Sequence, residues 1–439
     1  MTRISRRALA TRASKLALQA AVGLGGAMAT RGAAATAHAA PPAPTSCQKQ
    51  ATAPVKTGFE KLRDANYAPL KSHRVGVIAN VASVDTALRS IVDCLHDAPS
   101  VQLHAVFGPE HGFRGSMREG FSEPETQDPQ TGCTVYDIYA KSGDALKSIL
   151  KKSGITLLMF DVQDTGSRFY TYIWTLFDCM AACAQLGLPL LVLDRPNPIS
   201  GTDASGPVLD PALSSFVGRA PIALRHGMTV AELARLFNAA FMPALAGKAA
   251  TLDVVRMEGW QRGMFFEDTG LTWCPPSPNM PSALTALVYP GTCLFEGTSF
   301  SVGRGTTMPF LYLGSAGVDG RIWAEQAAAA GCAGAAFRDV WFTPQVDPFK
   351  NTLLHGLHCA VMDRTVFDPV ATGMTLLSTG RRLAGPAFWR GNGKTFDQLC
   401  GSRKIRPLLD HGADATALAA TWQADLDRFR ALRHTHLLY

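Results

Sequence analysis

Residues 108–115 bring together, in one short segment, groups that acid–base catalysis and anion binding use. They read Gly-Pro-Glu-His-Gly-Phe-Arg-Gly and so contain Glu110, His111 and Arg114. The proline and the three glycines predict a tight turn whose backbone can lie close to a ligand. The apolar run 101–107 precedes this turn, and ligands of α/β proteins bind at the carboxyl ends of such strands. A solvated polar turn is the plain alternative.

Two further apolar runs, 156–160 and 189–193, end in side chains of the same types. Short continuous apolar runs are typical of strands that are buried on both faces of a parallel sheet. Three strand ends with acids and arginines favour one binding site over three unrelated turns, although each residue alone could be structural. The residues that follow these two runs are Asp161, Asp164, Arg168, Tyr170, Asp194 and Arg195.

The surrounding pattern predicts the elements that position these side chains. Predicted strands cover residues 74–79, 101–107, 156–160, 189–193 and 251–256, with spacings that leave room for crossover helices. Helical apolar spacing covers 176–186 and 230–241. Thr229 and Glu232 form the pattern of a capping box at the start of the second helix. Residues 273–281 contain four prolines, which excludes regular structure and predicts a wall of the site or a hinge.

The N-terminal segment reads as a targeting signal. Ser5-Arg6-Arg7-Ala8-Leu9 is a twin-arginine pattern, an apolar stretch follows, and Ala37-His38-Ala39 offers a cleavage site,. We therefore expect residues 1–39 to be a signal peptide, 40–56 a linker, and the mature protein to be periplasmic or secreted. Removal of 1–39 takes the formal net charge from +7 to about +1, which argues against nucleic acid as a partner. The mature chain has no apolar run long enough to span a membrane.

The ten cysteines lie between Cys47 and Cys400. Their even number in an exported protein permits disulfides, but the sequence fixes no pairing, and buried thiols are equally compatible with it. Cys179 and Cys183 resemble a zinc pair only superficially, because no second pair follows at a suitable spacing.

Several segments in one order resemble the NamZ-type exo-β-N-acetylmuramidases, a family long known only as a domain of unknown function. The resemblance covers residues 57–439 and is densest between 104 and 312. The segments that carry it are 108–115, 161–172, 193–198, 225–233, 276–281, 289–297 and 302–310.

The resemblance implies an α/β fold: a Rossmann-like parallel-sheet domain over 57–290, a smaller α+β domain over 291–439, and an active-site cleft between them. It also implies a cofactor-free hydrolase that removes terminal β-N-acetylmuramic acid from the non-reducing end of peptidoglycan saccharides. Nucleotide binding is not expected, because no G-x-G-x-x-G follows the first strand. The oligomeric state is open.

Within this resemblance, Glu110 is the predicted acid, because glycoside hydrolysis needs a proton donor for the leaving oxygen. His111 could orient it or contact the sugar. The second group is open among Asp161, Asp164, Asp194 and Glu296, with Asp164 first, and the 2-acetamido group of the substrate is a further candidate. Retention and inversion are both possible.

An arginine is the expected reader of the lactyl carboxylate that distinguishes muramic acid from glucosamine. Arg168, Arg195 and Arg304 rank ahead of Arg114, and salt bridges to neighbouring acids are the alternative for each. The expected sugar contacts further include Tyr170, Asn279 and Glu296.

Two other classes of protein are possible. A metal-dependent deacetylase of wall sugars could use His104, His111 and the aspartates as ligands, although no H-E-x-x-H motif is present. A non-catalytic wall-binding protein would keep the cleft without the chemistry. A serine hydrolase has less support, because no G-x-S-x-G motif is present.

Overall fold

The computed structural model describes residues 53–439, and the predicted signal peptide lies outside them. Within this part the strands are β1 Arg74–Ala79, β2 Gln102–Gly108, β3 Thr126–Gln127, β4 Thr134–Asp137, β5 Leu157–Asp161, β6 Leu190–Leu193, β7 Ser205–Val208, β8 Ala223–Arg225, β9 Leu252–Val255, β10 Tyr312–Ser315, β11 Ala335–Phe342 and β12 Leu354–Val361.

The α-helices of the same part are α1 Gly58–Asp64, α2 Ile91–His96, α3 Gly143–Ser153, α4 Tyr172–Leu186, α5 Val230–Ala240, α6 Met242–Ala246, α7 Ala283–Thr292, α8 Gly320–Ala329, α9 Pro369–Ala384, α10 Lys394–Cys400, α11 Ile405–Asp410, α12 Ala415–Ala420 and α13 Gln423–His434.

A central sheet has the order β3-β4-β2-β1-β5-β6-β9. Every neighbouring pair is parallel except the edge pair β3–β4. Counted along the chain, the six parallel strands have the order 3-2-1-4-5-6, which is the doubly wound order of Rossmann-like folds. The carboxyl ends of β1, β2, β5 and β6 therefore lie along one edge, where the loops predicted to carry the site begin.

Both faces of this sheet are buried, as the continuous apolar runs predicted. Leu158 and Phe160 of β5 belong to the larger apolar core, which includes α3, α4 and α5. Leu157 and Met159 of the same strand belong to a second core, built with α1 and α2. Alternate side chains of one strand thus pack against helices on the two sides of the sheet, since successive side chains point to opposite faces.

The predicted helices are confirmed with shifted ends. Thr229 Oγ1 accepts a hydrogen bond from the Glu232 backbone nitrogen, and the Glu232 carboxylate accepts one from the Thr229 backbone nitrogen, so the capping box before α5 is present. Helix α4 begins at Tyr172, four residues before the predicted start, so that Tyr172 and Trp174 lie in its first turn.

The C-terminal part combines a small antiparallel sheet, of order β10-β12-β11, with helices α8–α13. Its apolar side chains, among them Trp323, Leu357 and Phe388, belong to the same core as Phe160 of the central sheet. The fold is therefore mixed α/β: a large, mostly parallel sheet covered by helices, followed by a smaller region of helices and antiparallel strands. No helix of residues 53–439 is long and apolar enough to cross a membrane.

Candidate active site

Two adjoining cavities open beside the loop after β2, and we name them the inner and the outer chamber. The inner chamber has a volume of about 170 Å³ and the outer chamber about 410 Å³. Both are lined by the same four charged side chains: Glu110, Glu119, Glu296 and Arg304. These four residues therefore mark the junction of the chambers.

Glu110 is held at this junction by two donors. Its Oε1 accepts a hydrogen bond from the Gly120 backbone nitrogen, and its Oε2 accepts one from Thr171 Oγ1, both at 2.9 Å. Thr171 directly precedes α4, so the central sheet positions both the carboxyl group and its partner. Tyr139 lies nearby: burial raises the pKa of its hydroxyl to about 12, and the charge of Glu110 adds to this shift.

His111 lines the inner chamber but is largely buried, at 6% exposure. Its Nδ1 lies 3.1 Å from the Met117 carbonyl oxygen. Because a carbonyl only accepts, Nδ1 carries the proton, and in the neutral ring Nε2 is left as an acceptor. The residue has a φ of +70°, so its backbone forms part of the turn that presents Glu110.

The turn needs its glycines because a buried carboxylate lies against it. A Cβ on Gly112 would clash with Glu123 Oε2, and one on Gly108 with Glu123 Oε1. Glu123 Oε1 accepts a hydrogen bond from the Phe113 backbone nitrogen at 2.8 Å, while Oε2 is buried and has no hydrogen-bond partner among residues 53–439. Burial raises the pKa of Glu123. Glu123 therefore packs against the backbone of the turn and is hydrogen-bonded to it.

Arg304 lines the junction together with Glu110. Its Nε donates to Glu296 Oε1 at 2.6 Å, and its Nη1 is hydrogen-bonded to Glu119. Burial lowers the pKa of Arg304, but the charges of Glu296 and Glu119 raise it by more, so the group is cationic. Among the hydrogen bonds within residues 53–439, none uses Nη2, which leaves one donor face for a ligand.

Aromatic rings wall the inner chamber. Tyr170 meets Tyr172 edge-on at 5.1 Å, and Tyr289 meets Phe310 edge-on at 4.6 Å. The proline-rich segment closes the opposite side with Ser277, Asn279 and Met280. It is fixed there because the Tyr172 hydroxyl donates to the Pro276 carbonyl at 2.8 Å. The proline-rich segment therefore adds Ser277 and Asn279 as polar groups to the aromatic wall.

Four predicted site residues lie elsewhere in closed networks. Asp161 and Arg195 form a buried, bidentate ion pair at the ends of β5 and β6. Asp194 accepts from Thr229 Oγ1 at 2.8 Å and from the Tyr439 hydroxyl at 2.7 Å, and burial raises its pKa to about 7. Arg114 binds Asp93 and Asp128. None of the four lines either chamber.

Arg168 is fully buried, and no acidic side chain of residues 53–439 pairs with it. Its guanidinium donates to the backbone carbonyls of Pro207, Ile222 and Leu399. Burial lowers its pKa to about 10. It ties the β7–β8 hairpin to α10 and cannot reach a sugar in the inner chamber without leaving these three bonds.

Asp164 and His226 form a buried pair close to the chamber wall. His226 Nδ1 accepts from the Met228 backbone nitrogen, so its Nε2 is the donor to Asp164 Oδ2, at 3.1 Å. Asp164 Oδ2 also accepts from the Gly166 nitrogen at 2.7 Å, while Oδ1 is buried and has no hydrogen-bond partner among residues 53–439. Burial raises the pKa of Tyr170, and the charges of Tyr172, Asp164 and Glu110 contribute. Asp164 itself does not line either chamber.

The proposed metal ligands do not assemble. Within residues 53–439 no group of three or more His, Cys, Asp and Glu side chains is placed to hold a metal ion. The nine cysteines of this part are all free thiols, and Cys179 and Cys183 are buried in α4. Cys47 lies outside the described residues.

Sequence reasoning missed several residues of the site. Glu119 and Glu123 lie in the same loop as Glu110, and Thr171 starts α4. None belongs to a recognisable spacing of its own. The nearest available signal was the pair of glycines around Glu110, which indicates that some group comes close to the backbone but does not identify it.

The fold and the junction define an α/β protein with an open site built from acids and one arginine. Family models described as "Exo-beta-N-acetylmuramidase NamZ, N-terminal" and "C-terminal" match residues 75–284 and 287–439. The chain therefore belongs to the NamZ exo-β-N-acetylmuramidase family.

Individual relatives agree with this assignment. The chain is 40% identical over 405 residues to the peptidoglycan β-N-acetylmuramidase NamZ of Bacillus subtilis (strain 168), covering 92% of this chain and 96% of that protein. Two crystal structures of DUF1343 family proteins from Bacteroides fragilis NCTC 9343 are similar, with TM-scores of 0.80 and 0.69 and identities of 32% and 30%. Each match covers 88% of this chain and 99% of the other.

Proposed function

We infer that this protein is an exo-acting glycoside hydrolase that releases terminal β-N-acetylmuramic acid from the non-reducing end of peptidoglycan fragments. Membership of the NamZ family supports the reaction class. The observation that carries the proposal for this chain is the junction, where Glu110 faces a chamber that also presents Arg304.

Glu110 is the proposed proton donor to the glycosidic oxygen. Gly120 and Thr171 each bind one of its oxygens and so fix the plane of the carboxyl group. A fixed acid contributes to the rate only when its proton points at the leaving oxygen. The two bonds supply that orientation before the substrate arrives.

The second catalytic group is one of three. Glu296 and Glu119 line the inner chamber, although both are paired with Arg304. The acetamido group of the substrate is the third, and it would need a polar partner instead of a protein nucleophile. Asp164 fits a supporting role, because its Oδ2 is already bound by His226 and Gly166.

Arg304 is the proposed reader of the lactyl carboxylate. Of the four arginines considered from the sequence, it is the one that lines the inner chamber. Its open Nη2 can donate to a substrate carboxylate while Glu296 and Glu119 keep the guanidinium plane in place. Asn279, 3.4 Å from Glu119, completes this side of the chamber.

The proposed substrates are N-acetylmuramic acid–N-acetylglucosamine saccharides derived from peptidoglycan, and the proposed site of action is outside the cytoplasm. The twin-arginine pattern at Arg6 and Arg7 supports export,. Fractionation of a producing cell tests this: the mature chain should lie in the periplasm or the medium, and replacing both arginines by lysine should retain it in the cytoplasm.

The test of the activity compares residues 40–439 on a chromogenic β-N-acetylmuramide and on the matching β-N-acetylglucosaminide, each with and without EDTA. Release from the muramide alone, unaffected by EDTA, is the expected result. Release that EDTA abolishes would favour the metal-dependent hydrolase, and binding of the saccharide without release would favour a wall-binding protein.

A further inference from the structure

The proposed hydrolysis assigns no role to the outer chamber, although it is the larger of the two cavities. Its volume is about 410 Å³ against about 170 Å³ for the inner chamber. It shares Glu110, Glu119, Glu296 and Arg304 with the inner chamber and extends away from them to the segment 344–349. A ligand that fills both chambers must therefore pass Glu110.

We propose that the outer chamber is the binding site for the leaving saccharide, an N-acetylated hexosamine and the chain that follows it, and that Arg390 is its principal polar contact. This inference rests on the proposed function. The acid must reach the oxygen that joins two sugars, so one sugar lies on each side of Glu110. An enzyme that removes one terminal residue can enclose that residue, but it must leave space for a remainder of any length.

The walls fit this division of the substrate. The inner chamber is closed by aromatic rings, whereas the outer chamber carries exposed apolar side chains, including Val346 at 41% exposure. Apolar wall atoms of this kind can pack against the C–H face of a sugar ring. Thr395, on the opposite rim, adds a hydroxyl group.

Arg390 is a charged side chain that the outer chamber has in addition to those of the junction, as is Asp347. Its backbone is fixed, because its nitrogen donates to the Gly297 carbonyl at 3.1 Å and its carbonyl accepts from the Gly393 nitrogen at 3.2 Å. Its side chain is exposed, and among the hydrogen bonds and ion pairs within residues 53–439 none involves the guanidinium. An anchored arginine with free donors can bind the acetamide carbonyl and hydroxyl groups of a sugar.

The apolar wall is tied to the junction and not to a separate part of the surface. The Gln345 nitrogen donates to the Gly305 carbonyl at 3.1 Å, and a Cβ on Gly305 would meet the Val346 nitrogen at 2.9 Å. The segment 344–349 therefore packs directly on the residue after Arg304. A sugar held by this wall is positioned relative to the same arginine that faces the terminal residue.

The test measures kcat/KM on the disaccharide MurNAc–GlcNAc and on a chromogenic muramide, for wild type, Arg390→Ala and Val346→Asp. Arg321→Ala is the control, because Arg321 is exposed and makes only a surface ion pair with Glu325. The ratio of disaccharide to chromogenic kcat/KM should fall about tenfold in both chamber variants, equivalent to about 1.4 kcal/mol, because Arg390→Ala removes the charged donor and Val346→Asp places a carboxylate in the apolar wall. The control should keep the wild-type ratio. An unchanged ratio in both chamber variants overturns the proposal.

A binding measurement separates this proposal from the proposed function. N-acetylglucosamine is titrated into Glu110→Gln protein with and without Arg390→Ala, and binding is followed by NMR. Weaker binding in the double variant supports the outer chamber even if no muramide is hydrolysed, and equal binding in both proteins contradicts it.

Discussion

Glu110 and Asp161 both follow strands of the central sheet, yet their carboxylates have opposite surroundings. Asp161 is fully buried and both of its oxygens are bound by Arg195. Glu110 is partly exposed, has one donor on each oxygen, and faces two chambers. A carboxylate enclosed with a buried arginine can hold strands together but cannot reach a substrate. Access to a cavity, and not charge at a strand end, therefore distinguishes the candidate catalytic acid.

The two arginines repeat the contrast. Arg195 is buried against Asp161 and the Val84 carbonyl. Arg304 is likewise held by two partners, Glu296 and Glu119, but it lies on the chamber wall, and its Nη2 is open to a ligand. Removing either residue should therefore have different consequences, one for stability and one for substrate selection.

The largest effect is expected from Glu110→Gln, which keeps the shape of the side chain and removes its proton. Muramide hydrolysis should fall about 10²–10⁴-fold, the usual contribution of a general acid, while the melting temperature changes little. Steady-state kinetics and thermal unfolding measure the two quantities. Glu325→Gln, an exposed acid on α8, is the matched control, and a Glu110→Gln protein with near wild-type kcat would remove Glu110 from the mechanism.

Arg195→Ala should act on stability instead. It leaves Asp161 buried without its partner, which costs about 3–5 kcal/mol of unfolding free energy. Chemical denaturation at neutral pH measures this loss. Arg89→Ala, which breaks the exposed pair with Asp97, should cost less than about 1 kcal/mol. If Arg195→Ala unfolds like wild type but has lost muramide turnover, the contrast between the two regions is wrong.

Arg304→Ala tests whether the arginine at the chamber wall selects the substrate. Removing the donor for the lactyl carboxylate should lower kcat/KM on the muramide about 10–100-fold, since a hydrogen bond to a charged group contributes about 1.5–3 kcal/mol. Turnover of the glucosaminide, which lacks that carboxylate, should fall less. Equal losses on both substrates would show that Arg304 only holds Glu119 and Glu296 in place.

Gly112→Ala tests the close packing of Glu123 against the turn. It should have the smallest effect, a loss of about 1–3 kcal/mol in the free energy of unfolding. The added Cβ meets Glu123, and the residue also has a positive φ of 75°. Gly132→Ala separates the two causes, because Gly132 has a φ of 69° but nothing within 4 Å of its Cβ position. Truncation of Glu123 to alanine in the Gly112→Ala background should recover the part of the loss caused by the clash. Equal losses for Gly112→Ala and Gly132→Ala would mean that only the backbone conformation matters.

Local pattern was sufficient for the elements and for one end of the site. The buried strands, the capping box of α5 and the irregular proline-rich segment depend on neighbouring residues, and the structure has them as predicted. Local pattern was insufficient for the arginines. Arg168, Arg195 and Arg304 each lie in a suitable motif. Their roles depend on their surroundings, which are three backbone carbonyls for Arg168, a buried aspartate for Arg195 and an open chamber for Arg304.

Local pattern along the chain was enough to predict five strands of the central sheet, helices α4 and α5, the family, and Glu110 as the candidate acid, because periodicity, turn residues and contiguous motifs are local features. Which charged side chains share a cavity depends on how the folded chain packs. Thr171, which directly precedes α4, donates to Glu110, Glu119 lines the same chamber, and Glu296 and Arg304 come from more than 180 residues further along the chain than Glu110. Whether a carboxylate is enclosed in the core or faces a cavity depends on partners that are distant in sequence, and their identity is a property of the packed molecule.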